Sequence, residues 1–458
     1  MRTIRIGNAA GFLGDQLEAP RLLAEAGNLD YLTLEHLAEL TLSILAHQKT
    51  RNPDLGYAAD FITVLPTLIP ALQAQPNLKI VTNAGGMNPT ACAKKVAGIL
   101  HNAGLGDTRI GIVSGDDLLP SLDRLTAEGE SFAHFDTQAS FDDVRPKIAS
   151  ANAYLGAAGI VENLAAGARI VITGRVADAS LTLGPAIHEF DWKWDDWNRL
   201  ATATVAGHII ECGAQATGGM FTPWTKDLNL AEVGYPIAEL TSDGDVCVTK
   251  PSETGGIVDE RTVAEQLLYE IGDPAHYLTP DVDADFTGLS LEQLGPDRVA
   301  VRGAHGNAPP PTYKVSMAYQ DGYMAVNTLV ICGPDAEGTA RHCADIIFKR
   351  VERAGFKLER TYVECLGTGD TLPGIWPRPQ QTHEVLLRIS AHDSRKEALE
   401  RFVREFAPLV TSGPAGVTGY TGPRGKPYPV LAYWPTRVDR NRILVQTTVR
   451  TATNWQSS

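Results

Sequence analysis

The sequence is short of positive charge. Its 40 Lys and Arg stand against 54 Asp and Glu, a formal net charge of −14, and no basic run is present. General nucleic-acid binding needs a clustered cationic surface and is excluded on that ground. The chain has six cysteines (Cys92, Cys212, Cys247, Cys332, Cys343 and Cys365), and they are dispersed, with no C-x-x-C and no companion His spacing. A zinc site or disulfide framework is therefore not expected, and buried free thiols are. No apolar stretch approaches the ~18 residues that span a bilayer, and the opening Met1–Gly7 lacks the apolar run of a leader. The reading is a cytoplasmic protein with no membrane partner. The chain also lacks a G-x-S-x-G elbow, a G-x-G-x-x-G fingerprint and a Walker lysine. These absences remove support for a serine hydrolase, a standard dinucleotide site and a P-loop, and no cofactor is expected.

What is present is regular. In a chain of 458 residues, 43% of them hydrophobic, the first ~190 residues alternate short β-branched runs with helical stretches. Strands are expected at Thr3–Gly7, Leu29–Leu34, Leu78–Thr82, Arg109–Val113 and Ala168–Thr173. Helices are expected at Leu17–Ala26, His36–Gln48, Phe61–Gln75, Pro89–Ala103, Ala157–Ala166 and Leu200–Gly213. This succession predicts an α/β fold, an N-terminal parallel sheet with helices on both faces, whose strand carboxyl ends share one edge. Beyond ~240, short strands (245–250, 298–302, 312–319, 324–332), a helix at 335–354 and a strand-helix-strand ending predict a packed C-terminal α+β half. The expected divisions are 1–240, 241–450 and a tail, 451–458. Thr411–Pro429, dense in Gly and Pro, reads as an exposed or ligand-covering loop.

Candidate chemistry lies just past the strands. Asn83-Ala-Gly85-Gly86-Met-Asn88-Pro89 joins a strand to a helix start, an order that presents backbone N–H groups to an anionic ligand, or simply makes a tight turn. Ser114-Gly115-Asp116 follows another strand, and Glu35 ends a third. Arg175 is suited to a carboxylate or phosphate; Asp178 orients it or caps the next helix. His208 and Glu211, three apart on a helix, share a face and form either an acid–base pair or a hydrogen-bonded core pair. A metal is not expected there, because a third ligand at diagnostic spacing is missing. Lys250 and Glu253 lie in a polar loop that either closes over a ligand held by the Asn83 turn or is a plain hairpin. Asp60 reads as a surface residue, and His305 and Arg424 are weaker loop candidates.

Seven stretches, taken in order, resemble the acyclic terpene utilisation protein A (AtuA) family, a former domain of unknown function. They are 5–15, 29–39, 80–89, 170–181, 207–219, 249–256 and 265–280, among them Ile80-Val-Thr-Asn-Ala-Gly-Gly-Met-Asn-Pro89 and Gly207-His-Ile-Ile-Glu-Cys-Gly-Ala-Gln-Ala-Thr-Gly-Gly219. The resemblance covers about residues 2–450 and implies breakdown of acyclic terpenoids and branched acyl chains. It points to a CoA thioester as substrate and to association with an acyl-CoA carboxylase; a homo-oligomer is also expected. Many members carry a further C-terminal ferredoxin-like module, which this sequence is expected to lack. Together these readings make the chain a hydratase/dehydratase or carbon–carbon lyase on a branched acyl-CoA, or else a non-catalytic acyl-CoA-binding or carboxylase-associated subunit. In the enzymatic reading His208 and Glu211 move the proton, Glu35 and Asp178 support the site, and Arg175 holds an anionic group. Asn83, Gly85, Gly86 and Asn88 position the thioester or a phosphate.

Overall fold

A computed structural model describes residues 2–223, 225–419, 422–423 and 425–457; Arg424 lies outside them. The chain separates into two units, Met1–Ala318 with Tyr433–Ser458, and Tyr319–Ala432.

In the first unit the strands up to residue 249 are β1 (Thr3–Asn8), β2 (Tyr31–Leu34), β3 (Lys79–Thr82), β4 (Arg109–Ser114), β5 (Ile148–Ala153), β6 (Ile170–Thr173), β7 (Ile237–Thr241) and β8 (Val246–Thr249). The helices up to residue 211 are α1 (Ala19–Ala26), α2 (Glu39–Arg51), α3 (Ala59–Ala74), α4 (Pro89–Asn102), α5 (Leu122–Ala127), α6 (Ala158–Ala165), α7 (Ser180–Phe190) and α8 (Trp197–Glu211). β1-β2-β3-β6-β4 are parallel neighbours, so the expected parallel sheet is present. The same sheet extends antiparallel on both sides, through β7, β8, Arg298–Arg302 and Ser290–Gly295 at one edge and Gln446–Thr451 at the other. Ile80, Ile170 and Ile172 face the core under α1, α3 and α4. Their neighbours Val81 and Val171 are as fully buried, and α6, α7 and α8 lie along strands of this sheet. Burial on both faces is why these strands read as continuous apolar runs.

The expected boundary after residue 240 falls within β7, and residues 241–318 belong with the N-terminal unit. The physical reason is main-chain pairing, since β7 bonds β1 on one side and β8 on the other. The expected tail is a short helix, Ala452–Gln456, whose Trp455 is buried and donates through Nε1 to the Ile110 carbonyl at 3.1 Å. Helix α2 starts later than the apolar pattern suggests. The Glu35, His36 and Leu37 amides are held by the Ala10 carbonyl, Asn83 Oδ1 and Glu35 Oε1, which keeps this segment out of the helix.

In the second unit, antiparallel strands run in the order Arg360–Leu366, Glu384–Asp393, the residues 319–332 of the long strand Thr312–Cys332, and Val417–Gly419. Helices Ala336–Arg353 and Lys396–Arg404 supply Ile347, Phe402 and other side chains to its core. This is the expected α+β arrangement. The stretch read as a loop, Thr411–Pro429, holds the end of the short helix Leu409–Ser412 and the strand Val417–Gly419.

Candidate active site: an acidic cleft at the strand ends

The turns after β1, β2 and β6 and the C-terminus of α8 meet around a cleft of about 440 Å³. Two features bring α8 there. Asn8, buried at the end of β1, donates through Nδ2 to the carbonyls of Ile210 (2.7 Å) and Glu211 (2.8 Å), satisfying helix-end acceptors that otherwise lack partners. Gly207 is the second, because a Cβ there would lie 2.7 Å from the Ala179 Cα. Only glycine lets the helix press against the turn that carries Asp178.

Six carboxylates line the cleft: Asp15, Glu35, Glu39, Asp178, Glu211 and Glu270. Beneath them lies Arg175, 1% exposed. Its Nη2 is 2.9 Å from Asp178 Oδ1, its Nη1 is 4.0 Å from Glu35 Oε1 and donates to the Leu37 carbonyl, and its guanidinium sits 4.0 Å from the Tyr154 ring centre. Burial works against the charge, but Asp178, Tyr154 and Glu35 hold the guanidinium ionised. Tyr154 in turn donates to Glu39 (3.0 Å), which also meets Lys314 Nζ at 3.2 Å. Burial opposes ionisation of Glu39, yet Lys314 and the hydrogen bonds it accepts bring it down to about 2.

Glu35 and Glu211 behave oppositely. Burial, reinforced by the Asp178 charge, pushes both carboxyls well above the usual range, although Arg175 pulls the other way. Asp178 is raised by burial too, with Arg175 opposing. Glu35 Oε1 accepts from the Asn83 amide and the Leu37 N–H (2.7 Å), whereas its Oε2 receives no N–H from the described residues, and the carboxyl lies within hydrogen-bond reach of Asp178. Glu211 Oε1 is 3.1 Å from His208 Nδ1, and its Oε2 has no hydrogen-bond partner among the described residues. His208 packs 5.4 Å from the Tyr277 ring and 5.7 Å from Phe286. Burial lowers it to about 4, so the imidazole is neutral at pH 7. The arrangement can give and accept protons within one pocket. Cys212 also lines the cleft, but burial raises its thiol far above neutrality. Among the described residues no three His, Cys, Asp or Glu are placed to hold a metal ion.

The family model for acyclic terpene utilisation family protein AtuA matches residues 4–449. The chain belongs to the AtuA family. Membership gives it a role in acyclic terpene utilisation. A search of curated proteins and of solved structures finds no match.

The expected site residues of this AtuA member divide into groups. Glu35, Asp178 and Glu211 line the cleft, and Arg175 and His208 support it from beneath. Asn83 is fully buried, its Oδ1 accepting from His36 N at 2.8 Å and its Nδ2 donating to Glu35, so it orients a carboxyl and meets no ligand directly. A Cβ on Gly85 would lie 2.5 Å from the Thr173 carbonyl, and the Gly86 backbone packs on Leu45 of α2. Asn88 is the N-cap of α4, accepting from Ala91 N at 3.2 Å and donating to the Pro53 and Leu55 carbonyls. The whole turn is closed over by the chain itself. Gly115 lies under the Leu444 carbonyl beside Ser114. Asp116 is buried, receiving Asn152 Nδ2 (2.8 Å) and Arg175 N (2.9 Å), and burial raises it to about 6. It braces the Arg175 turn. Lys250 bonds Asp297 (3.1 Å) and the Thr254 carbonyl, and Glu253 lines a different groove. Asp60 is half-buried and receives Gly14 N at 2.7 Å.

Asn8, Asp15, Glu39, Tyr154 and Glu270 were not singled out by sequence reasoning. Four of them lie inside stretches that carry the family resemblance: Asn8 and Asp15 in 5–15, Glu39 in 29–39 and Glu270 in 265–280. Tyr154 carried no such signal.

Proposed function

We propose that the cleft performs acid–base chemistry on a branched acyl-CoA, as a hydratase/dehydratase or carbon–carbon lyase of acyclic terpenoid catabolism. What carries this reading is the gathering of Glu35, Asp178 and Glu211 in a single pocket, Glu35 and Glu211 each feeling the Asp178 charge and each with one carboxyl oxygen that receives no N–H from the described residues. In a dehydration, an ionised carboxylate takes the proton from the carbon α to the thioester, and that electron pair forms the double bond. The hydroxyl leaves as water with a proton given by a carboxyl kept neutral by burial. Asp178, the most open of the three and paired with Arg175, fits the base. Glu211, oriented by His208, fits the acid. Phe12, Met220 and Tyr269 add apolar wall suited to a hydrocarbon chain. No Lys or Arg is among the described residues lining the cleft, so the CoA phosphates belong outside it.

The test is mass-spectrometric screening of the purified chain against a panel of branched enoyl- and hydroxyacyl-CoAs. Gain or loss of water, or cleavage of a carbon–carbon bond, is expected, with Glu211→Gln slowed about 10²–10⁴-fold. Normal turnover by His208→Ala would remove the histidine from the proton path. The second reading, a non-catalytic acyl-CoA-binding or carboxylase-associated subunit, is favoured by the small exposure of Glu35 (4%) and Glu211 (7%). It predicts binding without any mass change and co-purification with a carboxylase.

A further inference from the structure

A second groove, of about 400 Å³, lies beside the acidic cleft. Tyr235 lines both, and the consecutive residues Asp15 and Gln16 line one each. The partition is pinned by the Tyr235 hydroxyl, which donates to Asp15 Oδ1 at 2.6 Å. The two spaces thus adjoin at Tyr235. Their linings differ sharply. Whereas the cleft is walled by carboxyls, the groove takes Leu22, Leu23 and Ala26 from α1 and Ala231, Val233 and Tyr235 from the segment before β7. Leu22 remains 47% exposed. The groove's carboxylates, Glu18, Glu232 and Glu253, are exposed, so their charges stay in water. Lys250, next to this loop, offers no free ammonium, since Asp297 and the Thr254 carbonyl occupy it.

We infer that this groove is the subsite for the aliphatic tail of the substrate, with Tyr235 setting where the tail leaves the reactive cleft. The inference rests on the acyl chemistry proposed above and adds a selectivity to it. A groove of this kind gives affinity that rises with chain length, because each methylene moved out of water is favourable. A short acyl group, confined to the cleft, gains nothing from the groove.

The test compares butyryl-CoA with dodecanoyl-CoA by titration calorimetry on the full chain, for the unaltered protein and for Ala26→Trp and Ala231→Trp. Both alanines are exposed and lie on the two segments that form the groove, so a bulky side chain fills it from either side without entering the core. The unaltered protein is expected to prefer the longer chain, and each variant to reduce that preference about tenfold or more. An unchanged ratio in both variants, with dodecanoyl-CoA still bound more tightly, overturns the tail subsite while leaving the acid–base reading intact. Failure of dodecanoyl-CoA to bind the unaltered protein more tightly than butyryl-CoA also overturns the tail subsite, and the mass-spectrometric screen above decides the acid–base reading separately.

Discussion

β3 and β6 are neighbouring parallel strands, and the turns that follow them end in opposite states. The Asn83–Asn88 turn has the glycines, the asparagines and the helix start of an anion site, yet the chain consumes its polar groups and closes over it. The Gly174–Asp178 turn has an arginine and an aspartate, and there the chain runs out of partners. Arg175 is shared among Asp178, Glu35 and a carbonyl, and unmatched carboxyl oxygens remain beside the cleft. Glycine in a turn reports that something approaches the backbone closely, and that something can be the protein's own helix. A buried charge is harder to satisfy internally, so it marks the place where a ligand has work to do.

The largest blow to this contrast comes from Arg175→Leu. Taking one partner from a buried ion pair typically costs ~3–5 kcal/mol, because the remaining carboxylate is stranded. Urea unfolding should show a loss of that order; a loss below ~1 kcal/mol would mean the guanidinium does not hold Glu35 and Asp178 in place. A middle-sized effect is expected from the brace, through pH. Asp116 titrates near 3.8 when unfolded and is raised to about 6 in the fold, so the folded form binds more protons between those values. Its contribution is therefore full below ~4 and is lost as the pH rises through ~6. The difference in urea midpoint between the unaltered protein and Asp116→Asn should fall across that window, and a flat difference would contradict the burial of this carboxyl. The smallest effect belongs to the closed turn. Asn88→Ala removes a helix cap worth ~1 kcal/mol and should leave turnover unaltered. A large loss of turnover with little loss of stability would instead restore the turn as a ligand site.

The parallel sheet was legible because each of its strands is apolar on both faces, and that pattern survives in a single sequence. The helices were legible for a similar reason, except where side chains intervened. Asn83 and Glu35 hold the Glu35–Leu37 segment out of α2, and no periodicity reports a hydrogen bond from 47 residues away. The 312–332 strand reads as two because Asp321-Gly322 is turn chemistry; in the structure Gly322 has φ +69° and the strand continues through it. At the site, His208, Glu211, Arg175, Asp178 and Glu35 were legible as charged or titratable residues just beyond apolar elements. The division of labour among them was not. Arg175 reads as an anion binder because Arg forks match carboxylates and phosphates, and it does bind carboxylates, but they are the protein's own. Tyr154 and Lys314, which complete the surroundings of Glu39, are far apart in sequence but lie on paired segments, Tyr154 N donating to the Lys314 carbonyl at 2.9 Å, and only the folded chain brings them together.

The strand at Gln446–Thr451 lies along β4 and closes one border of the large sheet. During synthesis β4 leaves the ribosome more than three hundred residues before that strand does. Over that interval its outer row of amides and carbonyls has no native neighbour, an invitation to mispairing with other nascent chains. Arrival of this late strand is thus also the event that shields the edge of β4 from aggregation.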